Sequence, residues 1–119
     1  MKTLTLTILL IFSSFSIFGQ EAKVTTDKKK YKLDEIIEVT FELNAKSDSM
    51  DLPEFNGFEI IGGPTESSSV TIEDGEMIVR ESRTYKLQPV RRSRLKINSP
   101  VYFIDGRKIK GKPVKIKVD

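Results

Sequence analysis

The sequence has no Cys, no His and no Trp among its 119 residues. Without Cys and His, disulfide bonds, thiol nucleophiles, Cys/His zinc sites and histidine-based catalysis are all excluded. Carboxylates remain as the catalytic groups to consider. Because 38% of the residues are hydrophobic, the chain is too apolar for a disordered segment, and its length fits one domain.

The N terminus has the pattern of a secretory signal peptide. Lys2 precedes an apolar run over residues 4–18, which Gly19 closes. A positive start, an apolar centre and a small terminal residue are typical of such leaders, and the run is shorter than the ~20 residues that span a bilayer. We predict residues 1–19 as a signal peptide and residues 20–119 as an exported domain. An uncleaved N-terminal anchor is the alternative.

Charge is segregated along the predicted domain. Residues 20–79 hold six Lys against fourteen acidic residues, whereas residues 80–119 hold thirteen Lys or Arg against three acidic residues. The pattern favours acidic and basic strands that neutralise each other across a sheet. The alternative is a basic face for an acidic polymer or for lipid head groups. Nucleic acid is disfavoured as a partner, because an exported chain rarely meets it.

Hydrophobic residues recur with period two, which indicates half-buried strands. The alternation is regular over residues 37–43 and 114–118. Asp74-Gly75 and Asp105-Gly106 are hairpin signals that favour positive φ at both residues, and Asn56-Gly57, residues 62–64 and Ser99-Pro100 are further turn signals. The shorter candidate strands are residues 22–26, 58–61, 70–73, 77–87, 94–98 and 101–104.

Seven or eight short strands with frequent turns predict an all-β fold, an antiparallel sandwich of the immunoglobulin or fibronectin III type. One strand candidate conflicts with this pattern. Glu81 and Arg83 share the phase of Tyr85 and Leu87, so an uninterrupted strand would point two charges inward; a bulge or an exposed edge would resolve the conflict. The residues predicted to point inward are Val24, Ile37, Val39, Phe41, Leu43, Phe58, Ile60, Val70, Ile72, Tyr85, Leu87, Leu95, Ile97, Val114, Ile116 and Val118.

No group of residues has the spacing of a known catalytic or cofactor site, so we predict no enzyme activity and no cofactor. Two acidic clusters are candidates for calcium, although neither has the spacing of a calcium loop. A solvated turn is the favoured interpretation of each. The clusters are Asp48, Asp51 and Glu54, and Glu73, Asp74 and Glu76.

Two basic clusters at predicted turns are candidate partner contacts. Solvation alone explains most such runs, and it is the favoured interpretation of both clusters, more strongly of the first. The clusters are Lys28, Lys29 and Lys30, and Arg91, Arg92 and Arg94. Tyr102 and Phe103 are interpreted as packing residues rather than as a sugar-stacking platform. The aromatics of Pro53-Glu54-Phe55-Asn56-Gly57-Phe58 are predicted to attach a loop to the core.

Several strings in this order resemble the first extracytoplasmic module of the BatD family, called oxygen-tolerance or aerotolerance proteins. They are residues 39–44 (VTFELN), 52–60 (LPEFNGFEI), 62–69 (GGPTESSS), 74–75 (DG), 85–89 (YKLQP) and 112–118 (KPVKIKV). Two turns depart from the family pattern: residues 33–35 lack its Gly-Glu, and residues 91–93 lack its Gly. BatD-like proteins have several modules and a membrane span, so the resemblance covers one module. A truncated frame, a fragment and a free-standing relative all stay open.

The resemblance implies a non-enzymatic module in the periplasm or at the periplasmic face of the inner membrane. Its implied partners are envelope proteins, among them Bat proteins with von Willebrand A or tetratricopeptide domains. Its implied role is oxygen or stress tolerance, or envelope maintenance. The alternative is a cell-wall or carbohydrate-binding module that uses Tyr102, Phe103 and the basic loops. A calcium-stabilised adhesin fragment is a third hypothesis.

Overall fold

A computed structural model of the chain describes residues 20–119, and all of its regular elements are strands. The ten strands are β1 (Ala22–Thr26), β2 (Lys30–Tyr31), β3 (Ile37–Leu43), β4 (Ser49–Asp51), β5 (Phe58–Glu73), β6 (Glu76–Pro89), β7 (Ser93–Ile97), β8 (Val101–Ile104), β9 (Arg107–Lys110) and β10 (Val114–Val118). The predicted signal peptide, residues 1–19, lies outside the described residues. Within residues 20–119 there is no helix of the length and apolarity that crossing a membrane requires.

The strands form three sheets, with the orders β1-β3-β6-β5, β2-β10-β7 and β4-β8-β9. All pairings are antiparallel except that of β2 with β10, which is parallel. The predicted all-β sandwich is confirmed, with ten strands rather than seven or eight. The strands that the sequence pattern missed are β2, β4 and β9, which have two to four residues. β2 and β4 are too short to show alternation, and the four residues of β9 include only one hydrophobic residue, Ile109.

Alternation places one face of each central strand in the interior. In β3 the side chains of Ile37, Val39, Phe41 and Leu43 are buried, and in β10 those of Val114, Ile116 and Val118. A main hydrophobic cluster joins residues of the first two sheets. A second cluster lies beneath the third sheet and contains Ala22, Leu43, Tyr102 and Ile104.

Three of the residues predicted to point inward are exposed, namely Ile60, Val70 and Ile72. All three lie in β5, which is the edge strand of its sheet. Phe58 at the start of the strand is buried in the main cluster, whereas the same face of β5 is exposed at these three positions. Val24 is half-buried against the main cluster. The prediction that the loop before β5 is attached by its aromatics is correct, because Phe58 is buried and Phe55 contacts the rings of Phe41 and Tyr85.

The predicted turn at residues 62–64 is wrong, because these residues lie within the continuous strand β5. They produce two register shifts against β6, between Ile60 and Gly62 and between Gly62 and Thr65. The Gly63–Pro64 peptide is cis. The two hairpin signals are correct: Asp74-Gly75 and Asp105-Gly106 have positive φ at both residues and close the β5–β6 and β8–β9 hairpins. Residues 62–64 thus mark an irregularity within β5 and not the end of a strand.

Replacing Gly63 by alanine is expected to destabilise the domain by about 2 kcal/mol. Gly63 has φ of 94°, and an added Cβ would lie 2.6 Å from the carbonyl oxygen of Thr84. A left-handed backbone and a clash with main chain each contribute on the order of 1 kcal/mol. Urea unfolding would measure the loss. The matched control is Gly75→Ala, where φ is also positive but the space is open; equal losses in both variants would contradict the role of the Thr84 contact.

Candidate interaction surfaces

Strands β5 and β6 extend past the rest of their sheet. The last residue of β3, Leu43, lies opposite Glu81, so residues 69–80 pair only with each other. We call this two-stranded segment the ribbon. With about 3.3 Å per residue, its five paired positions on each strand span roughly 16 Å. The molecule is correspondingly long, with dimensions of 64 × 30 × 26 Å.

One face of the ribbon is apolar and uncovered. Val70 lies opposite Val79, and Ile72 lies opposite Met77. Side chains that lie directly opposite each other point to the same face of the sheet, so these four side chains share a face. Val70, Ile72 and Met77 are 60%, 75% and 72% exposed. Met77 and Val79 point to the same side of β6 as the buried Tyr85 and Leu87, because residues an even number of positions apart share one face of a strand. The ribbon therefore carries an inward-type face without the opposing sheet that would cover it.

A polar belt separates the ribbon face from the core. Between them on the same side of the sheet lie Arg83, opposite Glu66, and Glu81. The Arg83 Nε donates to Glu66 Oε1 at 3.0 Å, and its Nη1 lies 2.9 Å from the Met50 sulfur. Glu81 accepts a hydrogen bond from the Ser47 hydroxyl. The charge conflict in the sequence is thus resolved without a bulge in β6, because partners compensate both charges at the margin of the core.

The end of the ribbon is acidic. Glu73 lies opposite Glu76, and Asp74 is in the turn between them. Arg80 is the nearest counter-charge, with its Nη2 3.6 Å from Glu73 Oε1. Both strands also have unpaired backbone edges over the ribbon, since β3 has ended and β5 is an edge strand. Exposed edges of this kind accept an added strand.

The candidate partner-contact residues are divided among several surfaces. Lys28 forms an ion pair with Glu35, and its hydrogen bond to that carboxylate lowers the pKa of Glu35. Arg91 packs over Gly57, and Arg92 lies on another surface with Lys32 and Asp119. Lys29, Lys30 and Arg94 do come together, because they line one shallow depression on the second sheet.

The second sheet brings these residues together through β10. Lys117 of β10 lies opposite Lys30 on one side and Arg94 on the other, and Lys115 lies opposite Lys96. We call these five side chains the basic face. Sequence reasoning missed Lys96, Lys115 and Lys117, although their alternation with Leu95 and Ile116 was the available signal. In the first sheet, by contrast, Lys23 lies opposite Glu42 and Lys86 opposite Glu38. The predicted neutralisation of charge across strands is therefore correct at these positions of the first sheet and wrong for the second sheet.

The two aromatic residues of the cell-wall alternative do not share a surface. Consecutive residues of a strand point to opposite faces. Tyr102 is only 2% exposed and belongs to the second hydrophobic cluster, whereas Phe103 is half-buried beside the Lys108 ammonium. They cannot form a joint platform for a sugar ring.

The two acidic clusters named as calcium candidates lie in different parts of the fold. Asp48 accepts a hydrogen bond from the Asp105 backbone N–H at 2.9 Å, while Asp51 is at the end of β4. The other cluster is the ribbon end described above. Within residues 20–119, no group of three or more carboxylates is close enough to hold a metal ion.

A comparison with protein families gives one match. A family model described as the BatD DUF11 like domain matches residues 24–118, which cover β2 to β10 and all but two residues of β1. No curated protein gives a significant match, and no solved structure does. The matched span contains nearly the whole sandwich, with the ribbon and the basic face.

Proposed function

Because the chain belongs to the BatD family, we propose that it is an exported, non-enzymatic module that binds a protein partner of the bacterial cell envelope. The single observation that carries this proposal is the uncovered apolar face of the ribbon. In keeping with the family resemblance, the proposed partners are other Bat proteins, and the proposed role is envelope maintenance or tolerance of oxygen and other stress.

The ribbon face is a better candidate for a partner than scattered surface residues are. Single exposed hydrophobic residues are normal, whereas contiguous apolar patches mark interaction sites. Val70, Ile72, Met77 and Val79 form two adjacent cross-strand pairs. Burying each such side chain favours association by roughly 1.5–3 kcal/mol before the entropic costs of binding.

The polar belt supports a separate binding role for this face. Arg83, Glu66 and Glu81 interrupt the apolar surface between Tyr85 and Val79. The ribbon residues consequently add nothing to the core, and folding of the sandwich does not explain their hydrophobicity. Binding to another molecule does.

The chemistry of the ribbon defines the partner. The apolar side chains are aliphatic, and the adjoining end carries Glu73, Asp74 and Glu76. A complementary surface is aliphatic at its centre and has Lys or Arg at its rim. The partner is therefore a protein with such a surface, and the free backbone edges of the ribbon allow it to add a strand.

Shortening the ribbon tests the proposal. Deleting residues 70–73 and 76–79 leaves Asp74-Gly75 between Ser69 and Arg80, which already lie opposite each other. Hydrogen-bonded and non-hydrogen-bonded residue pairs alternate along an antiparallel ladder. The pair next to the turn changes from Glu73–Glu76 to Ser69–Arg80, four positions away, and is therefore of the same type. In affinity purification of the full chain from cells that express the Bat proteins, we expect the shortened variant to recover no Bat partner. Its Tm should stay within about 4 °C of the wild type, because no buried residue is lost.

Two further variants make the result specific. Val70→Thr, Ile72→Thr and Met77→Thr together should reduce recovery as strongly as the deletion does. Ser69→Thr with Thr71→Ser, on the opposite face of the ribbon, should leave it unchanged. Undiminished recovery by the shortened variant would overturn the assignment of the ribbon. Recovery of no partner by the wild type would overturn the binding function itself.

A further inference from the structure

Every outward position of the second sheet is a cation. The outward side chains of β2, β10 and β7 are Lys30, Lys115, Lys117, Arg94 and Lys96, and they alternate with buried Tyr31, Leu95, Ile97, Val114, Ile116 and Val118. The only ion pair of the basic face within the described residues is the 3.4 Å contact of Lys117 Nζ with Asp119 Oδ1. Lys29 lines the same depression.

The strand register opposes like charges. Lys115 faces Lys96, and Lys117 faces Arg94. Like charges that lie directly opposite each other destabilise a sheet. In the first sheet Lys23 lies opposite Glu42 and Lys86 opposite Glu38, and among the described residues of that sheet like charges meet only at the ribbon end, where Glu73 lies opposite Glu76. The repulsion within the basic face is relieved when an anion binds to it.

The form of the surface points to a planar array of phosphates. Strands lie about 4.8 Å apart, and outward positions repeat about every 6.7 Å along a strand, so the five cations form a broad lattice. Lys and Arg donate charge-assisted hydrogen bonds to phosphate oxygens. Proteins that bind single-stranded nucleic acid place aromatic side chains among the cations to stack on bases, whereas none of the outward positions of this sheet holds an aromatic residue.

We infer that the basic face binds the phosphate head groups of an anionic phospholipid surface. The inference is independent of the ribbon and of its protein partner, because it rests on a different sheet. A module that attaches through the second sheet leaves the ribbon of the first sheet available to other proteins.

Co-sedimentation of the full chain with lipid vesicles tests the inference. We expect binding to vesicles of phosphatidylglycerol and phosphatidylcholine (1:1) that weakens from about 50 to about 500 mM salt, as screening predicts. Each basic residue near an anionic surface contributes about 1 kcal/mol. The double substitution Lys96→Gln and Lys115→Gln should therefore lower the partition coefficient about 30-fold.

The matched control is Lys23→Gln with Lys86→Gln, which changes the net charge equally but leaves the basic face intact. We expect it to alter the partition coefficient less than about threefold. Any contribution from the apolar N-terminal stretch is the same in all three proteins. Equal losses in the two double variants, equal binding to pure phosphatidylcholine vesicles, or preferential binding to duplex DNA or cell-wall sacculi would each overturn the inference.

Thermal melting without lipid gives a second readout. Removing the opposed Lys96 and Lys115 charges should raise Tm by about 2 °C, while the Lys23 and Lys86 control should lower it. A lower Tm for the Lys96 and Lys115 variant would show that these lysines stabilise the sheet. That outcome would overturn the reason for assigning them to a ligand.

Discussion

Replacing Phe41 by alanine is expected to lower the free energy of unfolding by about 3–5 kcal/mol, the largest effect of any single change proposed for this chain. Phe41 is 1% exposed in the centre of β3. Its ring centroid lies 5.8 Å from that of Tyr85 and 6.2 Å from that of Phe55. The substitution thus removes a contact between strands and one of the two ring contacts that attach Phe55 of the loop before β5.

Urea unfolding followed by circular dichroism would measure this loss. The matched control is Phe103→Ala, because Phe103 in β8 is only half-buried and belongs to neither buried cluster, so its loss should cost at least about 2 kcal/mol less. If Phe41→Ala does not fold, Phe41→Leu provides a milder change of about 1.5 kcal/mol. Similar losses at positions 41 and 103 would contradict the central place of the aromatic group.

The second large effect is a loss of stability at alkaline pH. Burial is the main cause that raises the pKa of both Tyr31 and Tyr102 to about 12. The Tyr31 hydroxyl also donates to the carboxylate of Asp27, which raises its pKa further. The neutral phenol is the form that the folded state favours. Since the unfolded chain releases these protons near pH 10, the stabilisation is complete below about pH 10 and is lost progressively as the pH rises from about 10 to about 12.

Urea unfolding at pH 8, 10 and 11 would show this slope. Lysines titrate in the same range, so the informative quantity is the difference between the wild type and Tyr102→Phe. That variant should lose less stability on going from pH 8 to pH 11, because a phenylalanine side chain cannot ionise. Adding Tyr31→Phe should flatten the profile further, although it removes the hydrogen bond to Asp27. An unchanged slope in the double variant would contradict the assignment.

The alternation of residues along the sequence was sufficient to predict the strands that have one more buried and one more exposed face. β1, β3, β8 and β10 begin and end at the predicted residues, since each alternates between a more buried and a more exposed side. The hairpin turns at Asp74-Gly75 and Asp105-Gly106 were equally predictable, because these dipeptides tolerate the positive φ that two-residue hairpins need. The family resemblance, confirmed by the match over residues 24–118, rests on the order of such local strings.

What surrounds a strand was not predictable in the same way. Alternation predicts the face of the strand to which a side chain points, but it does not predict whether another sheet covers that face. Val70 and Ile72 point to the predicted face of the strand and are nevertheless exposed, because β5 and β6 extend beyond every strand that could cover them. The length of β5 was hidden by Gly62-Gly63-Pro64, which signals a turn in most contexts and is a register shift in this one.

The basic face was beyond sequence reasoning for a related cause. The segregation of charge was evident, but its outcome depends on which strands become neighbours. Lys30 and Arg94 are brought together only by Lys117, more than twenty residues from either. Pairing between such distant segments is set by the packing of the whole sandwich.

The polar belt of Glu66, Arg83 and Glu81 has a consequence for how the module can diversify. It separates the exposed ribbon residues from the buried residues that stabilise the sandwich, although both groups lie on the same strands. Descendants of this chain can therefore exchange the side chains of the ribbon without first accumulating compensating changes in the interior.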